Sequence, residues 1–195
     1  MADEVAPGLW RWTAPHPAWR PGAEAESEGD WEREVGCVLV VDDDGATFVD
    51  PLVPGEASAP FWAWADEVVG GRPVSVLTTI RFHGRSGPAV AERYGAAMGE
   101  TRSGIEAFAF PAADETMFWL RSHRALVPGD RILGDGHGGV RLCPESWLHY
   151  FRRPLSLSGL QALLAPLLAL PVERILVSHG APVLSGGAAA LRRIL

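Results

Sequence analysis

The sequence predicts an α/β fold of four layers, two stacked sheets with helices on the outer faces, and three observations carry that expectation. The chain has 195 residues of which 47% are apolar, enough to bury a sizeable core. A hairpin-rich β block followed by helix, strand and helix occurs twice along it. Each predicted helix has one apolar stripe and each sheet one face to bury, so the two halves pack sheet on sheet. No short-period repeat and no interdomain linker interrupts the order, so residues 1–195 read as one domain.

The elements follow in sequence. Leu9 to Thr13 (LWRWT) has the aromatic content of a strand, and APHPAWRPG after it is a proline-punctuated loop. Residues 24–34 are acidic and polar, a solvated connection. Val35 to Val41 and Ala46 to Val49 flank the turn Asp42-Asp43-Asp44-Gly45 as a hairpin. Between Ala57 and Val69 the residues Phe61, Trp62, Ala65, Val68 and Val69 recur at helical spacing, and Gly70-Gly71 ends the helix. A short buried strand spans Val74 to Leu77, and a helix Pro88 to Met98 with its proline in the first turn. Ile105–Phe110, Thr116–Leu120, Arg124–Val127, Arg131–Leu133 and Gly139–Leu142 are strand-like pieces expected to form a second sheet mainly of hairpins. Leu155 to Leu170 is an apolar helix that Pro166 should kink or divide. Arg174 to Val177 is a strand, Ser178-His179-Gly180 a loop, and Ala188 to Leu195 a closing helix.

Composition removes several function classes. The formal net charge of -7 repels a phosphate backbone, which argues against nucleic-acid binding. All 17 basic residues are arginine, so a Schiff-base lysine and a P-loop lysine are both excluded. Cys37 and Cys143 lack a C-x-x-C partner and read as small core residues. No apolar run reaches the roughly 18 residues of a membrane helix, and Met1-Ala2-Asp3-Glu4 lacks the basic start of a signal peptide, so a cytoplasmic protein without membrane partners is expected. Ser86 and Ser178 lie beside histidines, but no G-x-S-x-G elbow supports a serine hydrolase.

Candidate chemistry sits in loops at strand ends, where a rigid sheet fixes groups that remain accessible. His83 follows VSVLTTI, His179 follows ERILVS, and Asp130 follows ALVPG. Two imidazoles and a carboxylate suffice to hold one divalent cation with open positions for water or substrate. The order and spacing of these loops resemble the metallo-β-lactamase fold superfamily over nearly the whole chain. APGLWRW is similar to its opening strand, FVDPLVPG to its strand ending in Asp-x-Gly, and VSVLTTIRFHGRSG falls where the family carries T-H-x-H-x-D-H. PAADE takes the place of its P-G-H-T-like loop, LVPGDRIL that of its bridging aspartate, and ILVSHGAPVL that of its last histidine.

The resemblance implies an αββα sandwich and a metallo-hydrolase ancestry with most ligands replaced. The three histidines of the family's first metal position become Thr79, Arg81 and Ala113, none of which is a metal ligand here. The second position becomes His83, Asp130 and His179, a chemically sensible set for one Zn²⁺, Fe²⁺ or Mn²⁺. Two readings remain open. One is a single-metal hydrolase acting on a small molecule, with Asp130 in the catalytic machinery and Arg81 or Arg85 holding an anionic group or a developing oxyanion. The other is a metal-free, non-catalytic relative that binds a small anion or a protein partner in the old cleft, with arginine charge in place of the ion. His16, in the loop after the first strand, is a candidate substrate contact. His123, His137, His149 and Asp135 read as surface groups, and Trp10 and Trp12 as packing residues on one strand face.

Overall fold

The structure, a computed structural model, describes residues 2–149 and 154–195. Its larger sheet has six strands in sequence order: β1 (Asp3–Ala6), β2 (Leu9–Pro15), β3 (Glu34–Asp42), β4 (Gly45–Val49), β5 (Val74–Leu77) and β6 (Ala97–Met98). The first four strands are antiparallel to their neighbours, whereas β4–β5 and β5–β6 are parallel because α1 (Ser58–Val69) and α2 (Gly87–Tyr94) return the chain. The second sheet contains β7 (Ile105–Phe110), β8 (Glu115–Leu120), β9 (Ala125–Val127) and β12 (Arg174–Ile175), with β12 parallel to β9. A separate ribbon joins β10 (Ile132–Gly134) to β11 (Val140–Leu142), and α3 (Leu157–Leu164) and α4 (Gly187–Ile194) complete the described strands and α-helices.

Three apolar clusters mark the three interfaces of a four-layer αββα sandwich. Strand alternation assigns each side chain to one of them. On β3, Val38 and Val40 face the space between the sheets, while Val35, Cys37 and Leu39 face α1 and α2. On β8, Phe118 and Leu120 enter the central layer and Met117 and Trp119 pack toward α3 and α4. A register slip of one residue in either strand would exchange these two sets. Each leucine fully buried in this way contributes about 1.5–3 kcal/mol.

Most predicted elements occur within a residue or two of their expected bounds, and the differences have local causes. The helix expected over Pro88–Met98 stops at Tyr94 because Gly95 adopts φ 61 and its N–H caps the Ala91 carbonyl. Ala97 and Met98 then pair with the open edge of β5. Two of the pieces expected in the second sheet, Ile132–Gly134 and Val140–Leu142, pair with each other in the separate ribbon instead, and β12 joins the sheet in parallel. Strand β1, unforeseen in the acidic N-terminus, folds onto β2. Pro166 does divide the leucine-rich segment: Ser156 caps α3 by accepting from Gly159 N at 3.1 Å, and a 3-10 turn over Ala165–Ala169 follows. Among the described residues, no helix is long and apolar enough to cross a membrane.

Candidate metal centre

The two parallel strand pairs explain how distant loops meet. Strands β4 and β5 run together and deliver Asp50 and the Thr79–His83 turn to one edge. Strands β9 and β12 run together in the other sheet and deliver Asp130 and His179. His83, Asp130 and His179 converge there, with one ligand atom from each lying within 4.8 Å of the other two. His83 Nε2 is 3.0 Å and His179 Nε2 3.4 Å from Asp130 Oδ1.

The donor set fits a divalent ion. Ligands about 2.0–2.2 Å from a tetrahedral ion lie roughly 3.3–3.6 Å from one another, close to the spacing of the carboxylate and the two rings. Although two ring nitrogens approach Asp130 Oδ1, neither is aligned as a hydrogen bond, and this buried oxygen has no hydrogen-bond partner. A buried acceptor without a hydrogen bond is uncommon, which makes it notable where three residues able to hold an ion meet.

The groups behind these ligands fix their orientation. His83 Nδ1 donates to Asp50 Oδ2 at 2.9 Å, and Asp50 also accepts from Thr79 N at 2.8 Å and from the Thr79 hydroxyl. A carboxylate only accepts, so the proton is on Nδ1 and Nε2 is the ring's second valence, facing the site. Burial disfavours a charged His83 ring, but Asp130 and Asp50 outweigh it and push its pKa up to about 9. Burial likewise opposes ionisation of Asp130, yet His83 and His179 hold it well below the usual carboxylate range. Without an ion, the two carboxylates thus favour the protonated form of the His83 ring between them.

Under Asp130 lies Glu115, fully buried. Its Oε1 accepts from Gly129 N at 3.0 Å and its Oε2 from Asp130 N at 2.8 Å and Arg131 N at 2.9 Å. Burial pushes this carboxyl up to about 7 despite the opposing pull of Arg131 and the backbone donors. A Cβ at Gly129 would lie 2.8 Å from Thr79 Oγ1 and 3.1 Å from Glu115, so a larger residue there would displace the Thr79 hydroxyl.

The ligands open into a cleft of about 460 Å³ walled by His16, Val35, Phe82, Arg85, Trp31 and Trp147, with Glu28 also on its wall. Trp31 meets His16 at 5.1 Å and His179 at 5.6 Å between ring centroids, and Trp147 meets His179 at 5.8 Å. His16 Nδ1 accepts from Ala18 N at 3.2 Å, leaving its proton on Nε2, and burial together with Arg85, His83 and His179 lowers its pKa.

The two arginines have different positions. Arg85, at φ 35, donates to Gly36 O at 3.1 Å, Asp50 O at 3.2 Å and Ser178 Oγ at 2.7 Å, tying the ligand loops together at the cleft wall. Arg81 pairs with Asp114 at 3.1 Å and lines a second hollow with Thr79 and Glu115. Ala113 is buried and its carbonyl accepts from Arg131 Nε at 3.0 Å. His123 bonds to Pro7 O, and Trp12 packs in the core with its Nε1 on Leu52 O, both outside the cleft. Sequence reading assigned no role to Asp50, Glu115 or Trp147. The one available signal was Asp50 at a strand end in FVDPLVPG.

A scan against protein-family models found no match, and a search of curated proteins found none. Solved structures do match. A DIM-1 metallo-β-lactamase is 12% identical with a TM-score of 0.64, over 98% of this chain and 93% of that one. A metallo-β-lactamase from Erythrobacter litoralis is 17% identical with a TM-score of 0.58, over 98% and 92%. One from Hirschia baltica is 14% identical with a TM-score of 0.56, over 98% and 94%. With four layers, loops gathered at one sheet edge and near-complete coverage of these structures at low identity, the chain has the metallo-β-lactamase fold.

Proposed function

We propose that the protein is a single-metal hydrolase of a small-molecule substrate, with the ion held by His83, Asp130 and His179. The observation that supports this best is the buried Asp130 Oδ1, without a hydrogen bond between two imidazole Nε2 atoms at 3.0 and 3.4 Å. When bound, Zn²⁺ or a similar ion supplies Lewis acidity and makes water a nucleophile near neutral pH. Asp50 keeps the proton on His83 Nδ1, and Glu115 holds the backbone from Gly129 to Arg131 so that Asp130 keeps its place. Trp31, Trp147 and Phe82 exclude water from substrate seated in the cleft. His16, neutral and protonated on Nε2, serves as a hydrogen-bond donor to substrate. Arg85 contributes by fixing the cleft wall. Arg81 lies outside the cleft, so the reading gives it no contact with substrate.

Purified protein incubated with Zn²⁺, Fe²⁺ or Mn²⁺ and desalted should retain one equivalent by elemental analysis, and His83→Ala or His179→Ala should retain little. Wild-type protein that stays far below one equivalent with all three ions would leave the metal-free, non-catalytic reading in its place.

A further inference from the structure

His179 has a second ring nitrogen that the metal reading does not use. Its Nδ1 is buried and has no hydrogen-bond partner. An imidazole that ligates through Nε2 carries its proton on Nδ1, and that N–H is ordinarily bonded to a carboxylate, a carbonyl or water. For His83 the partner is Asp50. For His179 the carboxylate at hand is Glu32, whose Oε2 stands 3.7 Å from Nδ1, somewhat beyond hydrogen-bond range.

Glu32 belongs to the acidic connection between β2 and β3, and that segment is well anchored. His16 N donates to Arg33 O at 2.8 Å and Trp19 Nε1 to Trp31 O at 2.9 Å. Trp31 packs edge-on against His179, and Val35 forms a backbone bridge with His179 itself. The Glu32 side chain is half exposed, and a shift of less than about 1 Å would bring Oε2 within hydrogen-bond range of Nδ1.

We infer that Glu32 is the positioning residue of His179: when an ion takes Nε2, the Glu32 carboxylate closes on Nδ1–H and fixes the ring as Asp50 fixes that of His83. The inference rests on the metal reading above. It makes the connection over the cleft part of the metal site, so ion binding and the seating of this segment reinforce each other.

The test compares wild type, Glu32→Ala and Glu32→Gln, with Zn²⁺ affinity measured by competition with a chromophoric chelator. Loss of an outer partner of this kind costs about 10–100-fold in affinity, and that loss is expected for Glu32→Ala. Glu32→Gln keeps an acceptor oxygen and should fall between. The visible absorption of the Co²⁺-loaded protein should change in Glu32→Ala, while the melting temperature of the metal-free proteins stays the same. Zn²⁺ affinity of Glu32→Ala within twofold of wild type overturns the inference alone. So does an equal loss in both variants accompanied by a lower metal-free melting temperature, because the residue would then act on the fold. Wild-type protein that binds no ion overturns the inference together with the metal reading.

Discussion

Asp50→Asn is the most informative single change, because it conserves shape while reversing one hydrogen bond. Asp50 has φ 50, a conformation that asparagine accepts readily, so the backbone adds little cost. In the wild type, Oδ1 accepts from Thr79 N at 2.8 Å and Oδ2 from His83 Nδ1 at 2.9 Å. An asparagine has one acceptor for these two donors. If its oxygen stays on Thr79 N, its NH₂ faces His83 Nδ1, which must give up its proton and accept. The proton then moves to Nε2 and occupies the lone pair an ion needs. The expected loss of Zn²⁺ affinity is about 10–100-fold, or about 1.4–2.8 kcal/mol. If the amide turns the other way, a buried N–H at Thr79 faces an N–H donor, costing about 1–3 kcal/mol of stability. For a chain of this size each kcal/mol lowers Tm by about 2–4 °C. Chelator competition and thermal melting therefore form a paired readout, and one of the two must move. Affinity within twofold of wild type together with an unchanged Tm would refute the assignment of Asp50 as the partner that sets the His83 tautomer.

Two further predictions concern the same loops. The raised pKa of His83 gives the metal-free protein a defined pH profile. Its contribution to stability is full below the ordinary value of 6.5 and is lost as pH rises through about 9. Urea midpoints of chelator-treated protein should fall between pH 6 and pH 9.5, and a flat or rising profile would contradict the imidazolium assignment. Glu115→Ala removes the acceptor of three backbone N–H groups and the carboxylate beside buried Arg131, and should destabilise by about 3–5 kcal/mol. A change below about 1 kcal/mol in urea unfolding would mean that these donors find other partners.

The fold was legible because its signals are local. The nearly continuous apolar runs of β3 and β8, the glycines after α1 and the proline within the leucine-rich segment each act within a few residues. The convergence of His83, Asp130 and His179 was legible for a related reason, since each follows a strand whose apolar run is visible in sequence. Their partners were not. Glu115 reads as one acidic residue in PAADE, and only tertiary structure brings it beneath a loop 14 to 16 residues away. Arg81 and Arg85 looked equivalent, four residues apart. The 3-10 turn between them sends Arg81 to Asp114 on the neighbouring hollow and Arg85 into the cleft wall. Alignment to a motif supplies residue types, but the direction of each side chain depends on the turn that carries it.

The ligand triangle straddles the seam between the two sheets, His83 on one side and Asp130 and His179 on the other. In polymer terms an ion there is a reversible cross-link that closes a chain loop between residues 83 and 130 and a second between 130 and 179. Any sliding of one sheet over the other would have to stretch that link. Loading at a thousandfold excess over Kd is worth about 4 kcal/mol to the folded state, a sizeable share of the total stability of a domain. On the metal reading, the same three side chains would set both where substrate meets its nucleophile and how firmly the two halves of the sandwich are held in register.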